Sequence, residues 1–220
     1  MKNDVKIINR NEVPPVIIKD SDSIRLKSIK EGLIPIQFKG YNTEYYEKIL
    51  AMNAATFQSM ANIRWKFVAS AFPKTVLDYG CGSNMFGIHR PDGIIVDSYD
   101  IGKIGDAPYP QSGICHPKYD LITFWDVLEH VDWANEPDKY ILEWMGKSRF
   151  VAATIPILQS GNGYRLEDWK HYKPGEHLTY FSIKSFVEFM SKNGFTTDSH
   201  GTPECPPRTD IHSFLFRRKD

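Results

Sequence analysis

The stretch that decides the fold is Val76-Leu77-Asp78-Tyr79-Gly80-Cys81-Gly82-Ser83-Asn84. Its apolar beginning is typical of a buried strand, which ends at an acid and passes through a glycine-rich turn into a helix. Glycines in such a turn permit positive φ and let the backbone approach a ligand closely. In an open α/β sheet, ligands bind in the crevice at the carboxyl ends of the strands. The stretch therefore indicates a ligand site, although a tight turn without a ligand would read similarly.

Strands and helices alternate along the rest of the chain. Further strands are predicted at Gly93–Tyr99, Tyr119–Trp125, Phe150–Ile155, Phe195–Asp198 and His212–Arg218. Helices are predicted from a cap at Asn42 to Pro73, from Asn135 to about Lys147, and from a cap at Ser182 to Lys192. In the first of these, Phe57, Met60, Ile63, Phe67 and Ala71 recur at helical spacing, which predicts a stripe that faces the core. This alternation is typical of a parallel sheet covered by helices on both faces. Residues 199–211 contain three prolines and leave no room for a crossover helix, so the last strand should run antiparallel to its neighbour.

Two segments differ in composition from this pattern. The first 40 residues contain two short β-like runs, Val5–Ile8 and Val16–Lys19, and a third run at Leu33–Phe38. We interpret residues 1–40 as an N-terminal extension and residues 41–220 as the main domain. The segment Leu158–Tyr180 is rich in aromatic, cationic and glycine residues. Loops of this length in compact domains are usually functional.

Composition excludes several classes of protein. The chain has 220 residues, with 27 Lys and Arg against 27 Asp and Glu, so its net charge is zero. That balance disfavours a nucleic-acid binder and a protein that coats anionic membranes. No apolar run approaches the roughly 18 residues of a membrane span, and the first residues do not resemble a signal peptide. Three scattered cysteines disfavour a disulfide framework and a Cys-rich zinc site. We therefore predict a cytoplasmic protein without a metal site, and its oligomeric state stays open.

A dinucleotide such as NAD is the first ligand to compare with the glycine turn. Its fingerprint is Gly-x-Gly-x-x-Gly, and Met85 stands at the third glycine position here. A bulky side chain there would hinder approach of the pyrophosphate. The carboxylate of Asp78 would repel a diphosphate and attract a cationic, amino-bearing ligand. The turn therefore favours a ligand other than a dinucleotide.

Asp-x-Gly-x-Gly after a strand resembles the cofactor motif of class I S-adenosylmethionine-dependent methyltransferases. Tyr119–Val131 (YDLITFWDVLEHV) is similar to the fourth strand and following helix of the subgroup related to ubiquinone and menaquinone methyltransferases. Glu176–Ser182 (EHLTYFS) is similar to that subgroup's substrate-side stretch. The resemblance covers about residues 41–220. It implies a Rossmann-like α/β fold, with a mostly parallel seven-stranded sheet, helices on both faces and an antiparallel last strand.

The resemblance also implies roles for single residues toward S-adenosylmethionine. Asp78 should lie near the methionine ammonium, and Asp100, which ends the second strand, should accept hydrogen bonds from the ribose hydroxyls. Asp97 is the alternative if that strand ends earlier. The remaining implied cofactor-binding residues are Gly80, Cys81, Gly82 and Asn84 in the turn, and Trp125 and Asp126 at the end of the fourth strand. Trp125 could equally be a core aromatic without a ligand contact.

Some expected features are weak in this chain. Asn84 stands where the family often has a third glycine, and Asn tolerates left-handed backbone geometry well. The third strand of the fold is not evident between Gly102 and Lys118, so Asp106 is only a guess for an adenine contact. The helix after the turn should be short, because His89–Gly93 ends it early.

Methyl transfer is an in-line displacement, in which the protein mainly supplies proximity and alignment while the cofactor carries the chemistry. A general base is needed only if the acceptor enters protonated. His177 and His171, with Glu176, are the candidates, although each could simply form a loop hydrogen bond. The acceptor should be a small molecule or biosynthetic intermediate. Side chains that would suit a planar or anionic acceptor are Arg165, Trp169, Lys170, Tyr172, Lys173 and Tyr180. A catalytically inactive module with the same fold is the alternative.

Overall fold

The structure is a computed structural model that describes residues 16–17, 54–100, 114–133, 138–158, 168–173, 176–205, 208 and 210–220. Its strands are β1 (Val16–Ile17), β2 (Thr75–Tyr79), β3 (Ile95–Tyr99), β4 (Tyr119–Trp125), β5 (Ser148–Pro156), β6 (Thr179–Tyr180), β7 (Phe195–Gly201) and β8 (Ile211–Arg218). Its α-helices are α1 (Ala54–Val68), α2 (Met85–Ile88), α3 (Lys139–Gly146) and α4 (Ile183–Lys192). Single turns of 3₁₀ helix lie at Ala69–Ala71 and Leu128–His130.

One mixed sheet organises the described residues. It has six strands in the order β3-β2-β4-β5-β8-β7. The first four are parallel, and β8 is antiparallel to both β5 and β7. The α/β fold and the antiparallel last strand are thus confirmed, with six strands rather than seven in the part of the chain that is described. Residues 101–113, which hold most of the region where a further strand was expected, lie outside the described residues.

Both faces of the sheet are covered by apolar side chains. β4 reads Leu-Ile-Thr-Phe-Trp over Leu121–Trp125, a buried run that is apolar except for Thr123 and is typical of a strand covered on two sides. On one face, α1 packs in a cluster that includes Trp65, Phe86 and Leu215. On the other, α3 and α4 contribute to a larger cluster. The prediction of helices on both faces is therefore confirmed. Because both faces are covered, a functional site is expected at the carboxyl edge of the sheet.

The buried face of α1 differs from the predicted stripe. The predicted core residues Phe57, Met60, Ile63 and Phe67 are only half-buried. Fully buried positions are Ala61, Trp65, Val68 and the correctly predicted Ala71. Trp65 determines this orientation, because its ring stacks on Phe86 at a centroid distance of 4.1 Å and its Nε1 donates to the Phe86 carbonyl. The predicted cap, Asn42, lies outside the described residues.

The N-terminal segment contributes one described strand. β1 runs parallel to β6, with Val16 opposite Thr179 and Ile17 opposite Tyr180. This confirms the start of the predicted run Val16–Lys19. The runs Val5–Ile8 and Leu33–Phe38 lie outside the described residues, as does the boundary at residue 40, so the division into an extension and a main domain stays a proposal. No helix among the described residues is long and apolar enough to cross a membrane.

Two helices begin at side-chain caps. In α4 the Ser182 hydroxyl accepts from the amide of Ser185 at 3.1 Å, and the Ser185 hydroxyl accepts from the amide of Ser182 at 2.9 Å. This reciprocal pair confirms Ser182 as the cap. In α3 the cap is Asp138, whose carboxylate accepts from the amides of Tyr140 and Ile141. The helix therefore begins after Asp138, later than the predicted start at Asn135.

We expect Ser182→Ala to lower the free energy of unfolding by about 1 kcal/mol, because one buried amide of α4 loses its acceptor. Urea denaturation followed by circular dichroism measures the change. Ser191→Ala, on the exposed side of the same helix, is the matched control and should be near neutral, since Ala is the better helix former. Equal effects of the two changes would show that the capping pair does not stabilise the fold.

Candidate functional site

The glycine turn after β2 adopts a backbone that few other residues allow. Gly80 and Gly82 have φ of 77° and 50°, and Asn84 has φ of 58°. A Cβ added at Gly80 would lie 2.5 Å from a methyl carbon of Val127. The amides of Gly80 and Cys81 both donate to the carbonyl of Tyr99, at 2.7 and 3.1 Å. The turn is thus held against the carboxyl end of β3.

Asp100 is the acid that meets this turn. The Gly82 amide donates to Asp100 Oδ2 at 2.9 Å. Asp97, the alternative, is 4% exposed and accepts hydrogen bonds from the Tyr119 hydroxyl and the Cys115 amide. Burial would raise the pKa of Asp97, but hydrogen bonds from Tyr119 and His116 outweigh it and lower that pKa. Asp97 therefore serves the fold, and Asp100 lies where a ligand in the turn would meet it.

Asp78 is the second-to-last residue of β2, so it lies at the same carboxyl edge of the sheet. Its side chain is buried and accepts from the hydroxyl of Thr123 at 2.7 Å. Burial raises the pKa of Asp78 to about 7, although the Thr123 hydrogen bond and the positive charge of Arg64 act in the opposite direction. Near neutral pH the group is poised between its two forms. A cation placed beside it would favour the carboxylate.

Trp125 and Asp126 end β4 next to this acid. Trp125 packs edge-on against Phe86 at a centroid distance of 5.1 Å, and the guanidinium carbon of Arg64 lies 4.9 Å from its ring centroid. Trp125 is therefore largely a core aromatic, the alternative left open by the sequence. Asp126 has φ of 59° and pairs with Arg64 at 3.2 Å and with Arg208 at 2.7 Å.

Asp126 belongs to a network of four charged side chains. Glu204, whose side chain is 0% exposed, pairs with Arg64 at 2.7 Å and with Arg208 at 2.6 Å. Burial would raise the pKa of Asp126, but Arg208 and Arg64 hold it below its usual value. The network joins α1, the end of β4 and the segment before β8. Sequence reasoning missed Arg64, Glu204 and Arg208, because partners 140 residues apart leave no local pattern.

The two predicted general bases lie together in the segment before β6. The rings of His171 and His177 are stacked with centroids 6.4 Å apart. Burial and the neighbouring His130 lower the pKa of His177 to about 3. Burial also lowers the pKa of His171, although Asp210, 3.2 Å from its Nε2, acts against this. Both rings are therefore neutral and weakly basic, which does not favour the predicted general-base role.

Several side chains suggested for an acceptor are structural instead. Trp169 is buried and donates from Nε1 to Asp210, and the hydroxyl of buried Tyr180 accepts from the amide of Lys173. Lys170 pairs with Asp210 at 2.6 Å. Arg165 lies outside the described residues. The described part of Leu158–Tyr180 is therefore packed against the rest of the fold. The buried rings of Trp169 and Tyr180 offer no surface on which an acceptor could stack.

A cavity of about 800 Å³ lies at the opposite, amino edge of the sheet. Its lining includes the first residues of β2, β4 and β5 and several basic side chains, among them Lys118, Arg149 and Arg217. The residues of the glycine turn do not line it. Since ligands in open α/β sheets bind at the carboxyl ends of the strands, this cavity is not the site described above.

A sequence model of a methyltransferase domain family matches residues 52–200 of the chain. No curated protein matches the chain in sequence.

Solved structures match the fold at low sequence identity. A candidate O-methyltransferase from Nostoc punctiforme has a TM-score of 0.53 at 15% identity, over 80% of this chain and 59% of its own. Magnesium protoporphyrin IX methyltransferase from Synechocystis, solved with S-adenosylhomocysteine, has a TM-score of 0.53 at 18% identity, over 74% of this chain and 83% of its own. The 1,6-didemethyltoxoflavin-N1-methyltransferase of Burkholderia thailandensis was solved with 1,6-didemethyltoxoflavin and S-adenosylhomocysteine. It has a TM-score of 0.55 at 15% identity, over 80% of this chain and 85% of its own. The chain thus spans little more than half of the Nostoc protein.

We expect Glu204→Ala to lower the free energy of unfolding by about 3 kcal/mol, because it leaves two half-buried guanidinium groups with one shared carboxylate. Urea denaturation measures the loss. The control is Glu143→Ala, which breaks an exposed pair with Lys147 and should change stability by no more than about 0.5 kcal/mol. A loss at Glu204 no larger than that of the control would show that the network adds nothing to stability.

Proposed function

The chain belongs to the methyltransferase domain family, and we propose that it transfers a methyl group from S-adenosylmethionine to a small-molecule acceptor. The observation that carries this proposal is the positive-φ glycine turn bonded through Gly82 to Asp100 at the carboxyl edge of a Rossmann-like sheet. The neighbours from Synechocystis and Burkholderia, which were crystallised with S-adenosylhomocysteine, support the choice of cofactor. Their named substrates support a small acceptor.

In this proposal, the glycine turn and the two acids each bind a different part of the cofactor. We propose that Asp78 faces the methionine ammonium and that Asp100 accepts from the ribose hydroxyls. Gly80, Cys81, Gly82 and Asn84 then supply backbone along the methionyl and ribose parts. A Cβ added at Gly82 would meet no atom of the described residues within 4 Å, which supports open space for a ligand on that side.

The end of β4 takes a positioning role in this proposal. Both ion pairs of Asp126 are made to arginines, so it acts through Arg64 and Arg208 rather than by touching the cofactor. Trp125 forms the wall behind them. The transfer itself needs the acceptor atom, the methyl carbon and the sulfur in line, and rigid surroundings of this kind supply that alignment. When bound, S-adenosylmethionine supplies the activated methyl group.

Finer assignments remain proposals from the sequence. These are the ubiquinone- and menaquinone-type subgroup, a cytoplasmic location and the absence of nucleic acid among the partners. The main alternative is a module that keeps the fold without catalysis. Titration calorimetry with S-adenosylhomocysteine and with NADH separates the possibilities. Binding of the first alone supports the proposal, binding of neither favours the inert module, and binding of NADH would indicate a dinucleotide enzyme.

We expect Asp100→Ala to weaken binding of S-adenosylhomocysteine by about 1–3 kcal/mol, because charged hydrogen bonds to the ribose are lost. Calorimetry at fixed pH measures this. Asp92→Ala, at an exposed position nearby in the chain, should leave the affinity unchanged. Unchanged affinity in Asp100→Ala would contradict the ribose assignment.

Affinity for S-adenosylhomocysteine should also depend on pH through Asp78. Protonation removes the charge that faces the ligand ammonium, so affinity should fall by up to about tenfold per pH unit as the pH drops below about 7. In Asp78→Asn the affinity should be low and nearly independent of pH over the same range. A variant with the same pH profile as the wild type would exclude Asp78 as the titrating group.

A further inference from the structure

Three side chains that the proposed function does not use converge behind the end of β4. Glu129 and His130 come from the 3₁₀ turn Leu128–His130, and His177 comes from the segment that leads into β6. One ligand-type atom of each lies within 4.8 Å of those of the other two. The rings of His130 and His177 are perpendicular, with centroids 4.9 Å apart.

Two of these side chains are buried with a polar atom unpaired. Glu129 is 2% exposed and His177 is 4% exposed. Among the described residues, Glu129 Oε2 and His177 Nδ1 have no hydrogen-bond partner. Burying a polar atom without a partner is unfavourable, because nothing replaces its lost hydrogen bond to water. Two such atoms in one small cluster therefore indicate a ligand that satisfies both.

The third side chain is oriented as metal-binding histidines usually are. His130 Nδ1 donates to the backbone carbonyl of Glu176 at 2.9 Å. With its proton on Nδ1, the imidazole carries its lone pair on Nε2. A histidine that donates one ring N–H to a carbonyl and presents the other nitrogen is the common arrangement at metal centres.

The backbone holds the two contributing segments together. The amide of Leu178 donates to the carbonyl of Glu129 at 2.8 Å, and the hydroxyl of Thr179 donates to the carbonyl of Val131 at 2.7 Å. The relative positions of Glu129 and His177 are thus fixed by hydrogen bonds on either side. Ligand atoms of a tetrahedral zinc ion lie about 3.3 Å apart, given bonds of about 2.0 Å. The three atoms, all within 4.8 Å of one another, would have to close to that spacing around the ion.

We propose that Glu129, His130 and His177 bind one divalent transition-metal ion, such as Zn²⁺. Two imidazoles and one carboxylate form a donor set that such ions accept, and three protein ligands leave a position open. The site departs from the sequence prediction of no metal.

The test is calorimetric titration of Zn²⁺ into metal-free protein. We expect one site in the wild type. Glu129→Gln, which keeps the shape of the side chain, should weaken Zn²⁺ binding by more than the roughly 10–100-fold that loss of an orienting partner costs. His200→Gln, at an exposed histidine on β7, should bind Zn²⁺ like the wild type. The absence of binding in the wild type, or wild-type affinity in a folded Glu129→Gln, would overturn the proposal.

A second measurement does not depend on the variants folding. In wild-type protein with ¹⁵N-labelled histidine, Zn²⁺ should shift the ring nitrogens of two of the seven histidines. Shifts of none, or of the exposed His200, would overturn the proposal.

Binding of S-adenosylhomocysteine, measured in parallel, separates this inference from the proposed function. Zn²⁺ binding without S-adenosylhomocysteine binding would leave the metal site standing and refute the methyltransferase assignment. The reverse pattern would refute the metal site alone.

Discussion

Three hydrogen bonds donated by backbone amides hold the functional edge of this protein together. The amides of Gly80 and Cys81 donate to the Tyr99 carbonyl, and that of Gly82 donates to the Asp100 carboxylate. They join the turn after β2 to the end of the neighbouring strand, and they require the positive φ that glycine permits. The parallel register of β2 and β3, with Tyr79 opposite Tyr99, brings the donors and acceptors to one level. Without that register, Asp78 and Asp100 would not come to the same edge of the sheet.

Several charged groups with little exposure lie close together at the carboxyl edge of the sheet. Asp78 is buried with a raised pKa, and the ion pairs among Arg64, Asp126, Glu204 and Arg208 lie beside it. Charges so little exposed are tolerated because each has a partner. The network also connects α1 to the segment before β8. The same contacts that stabilise the tertiary structure therefore shape the proposed binding site.

Local patterns in the sequence predicted much of this arrangement. The ends of β2 and β4 and the cap at Ser182 depend on a few neighbouring residues, and the structure confirms them. The prediction of the buried face of α1 was wrong, because Trp65 orients the helix through a contact with Phe86. The periodicity of the sequence does not reveal that contact. The Glu204 network and the grouping of Glu129 with His177 join residues far apart in the chain. Their positions follow from the folded sheet and not from spacing.

The most direct test of the account is a crystal structure of the protein with S-adenosylhomocysteine. The account predicts the ribose hydroxyls within hydrogen-bond distance of Asp100, the methionyl ammonium beside Asp78, and the nucleoside against the backbone of Gly80 and Gly82. A complex with the ligand elsewhere, or with these two carboxylates in separate pockets, would contradict it.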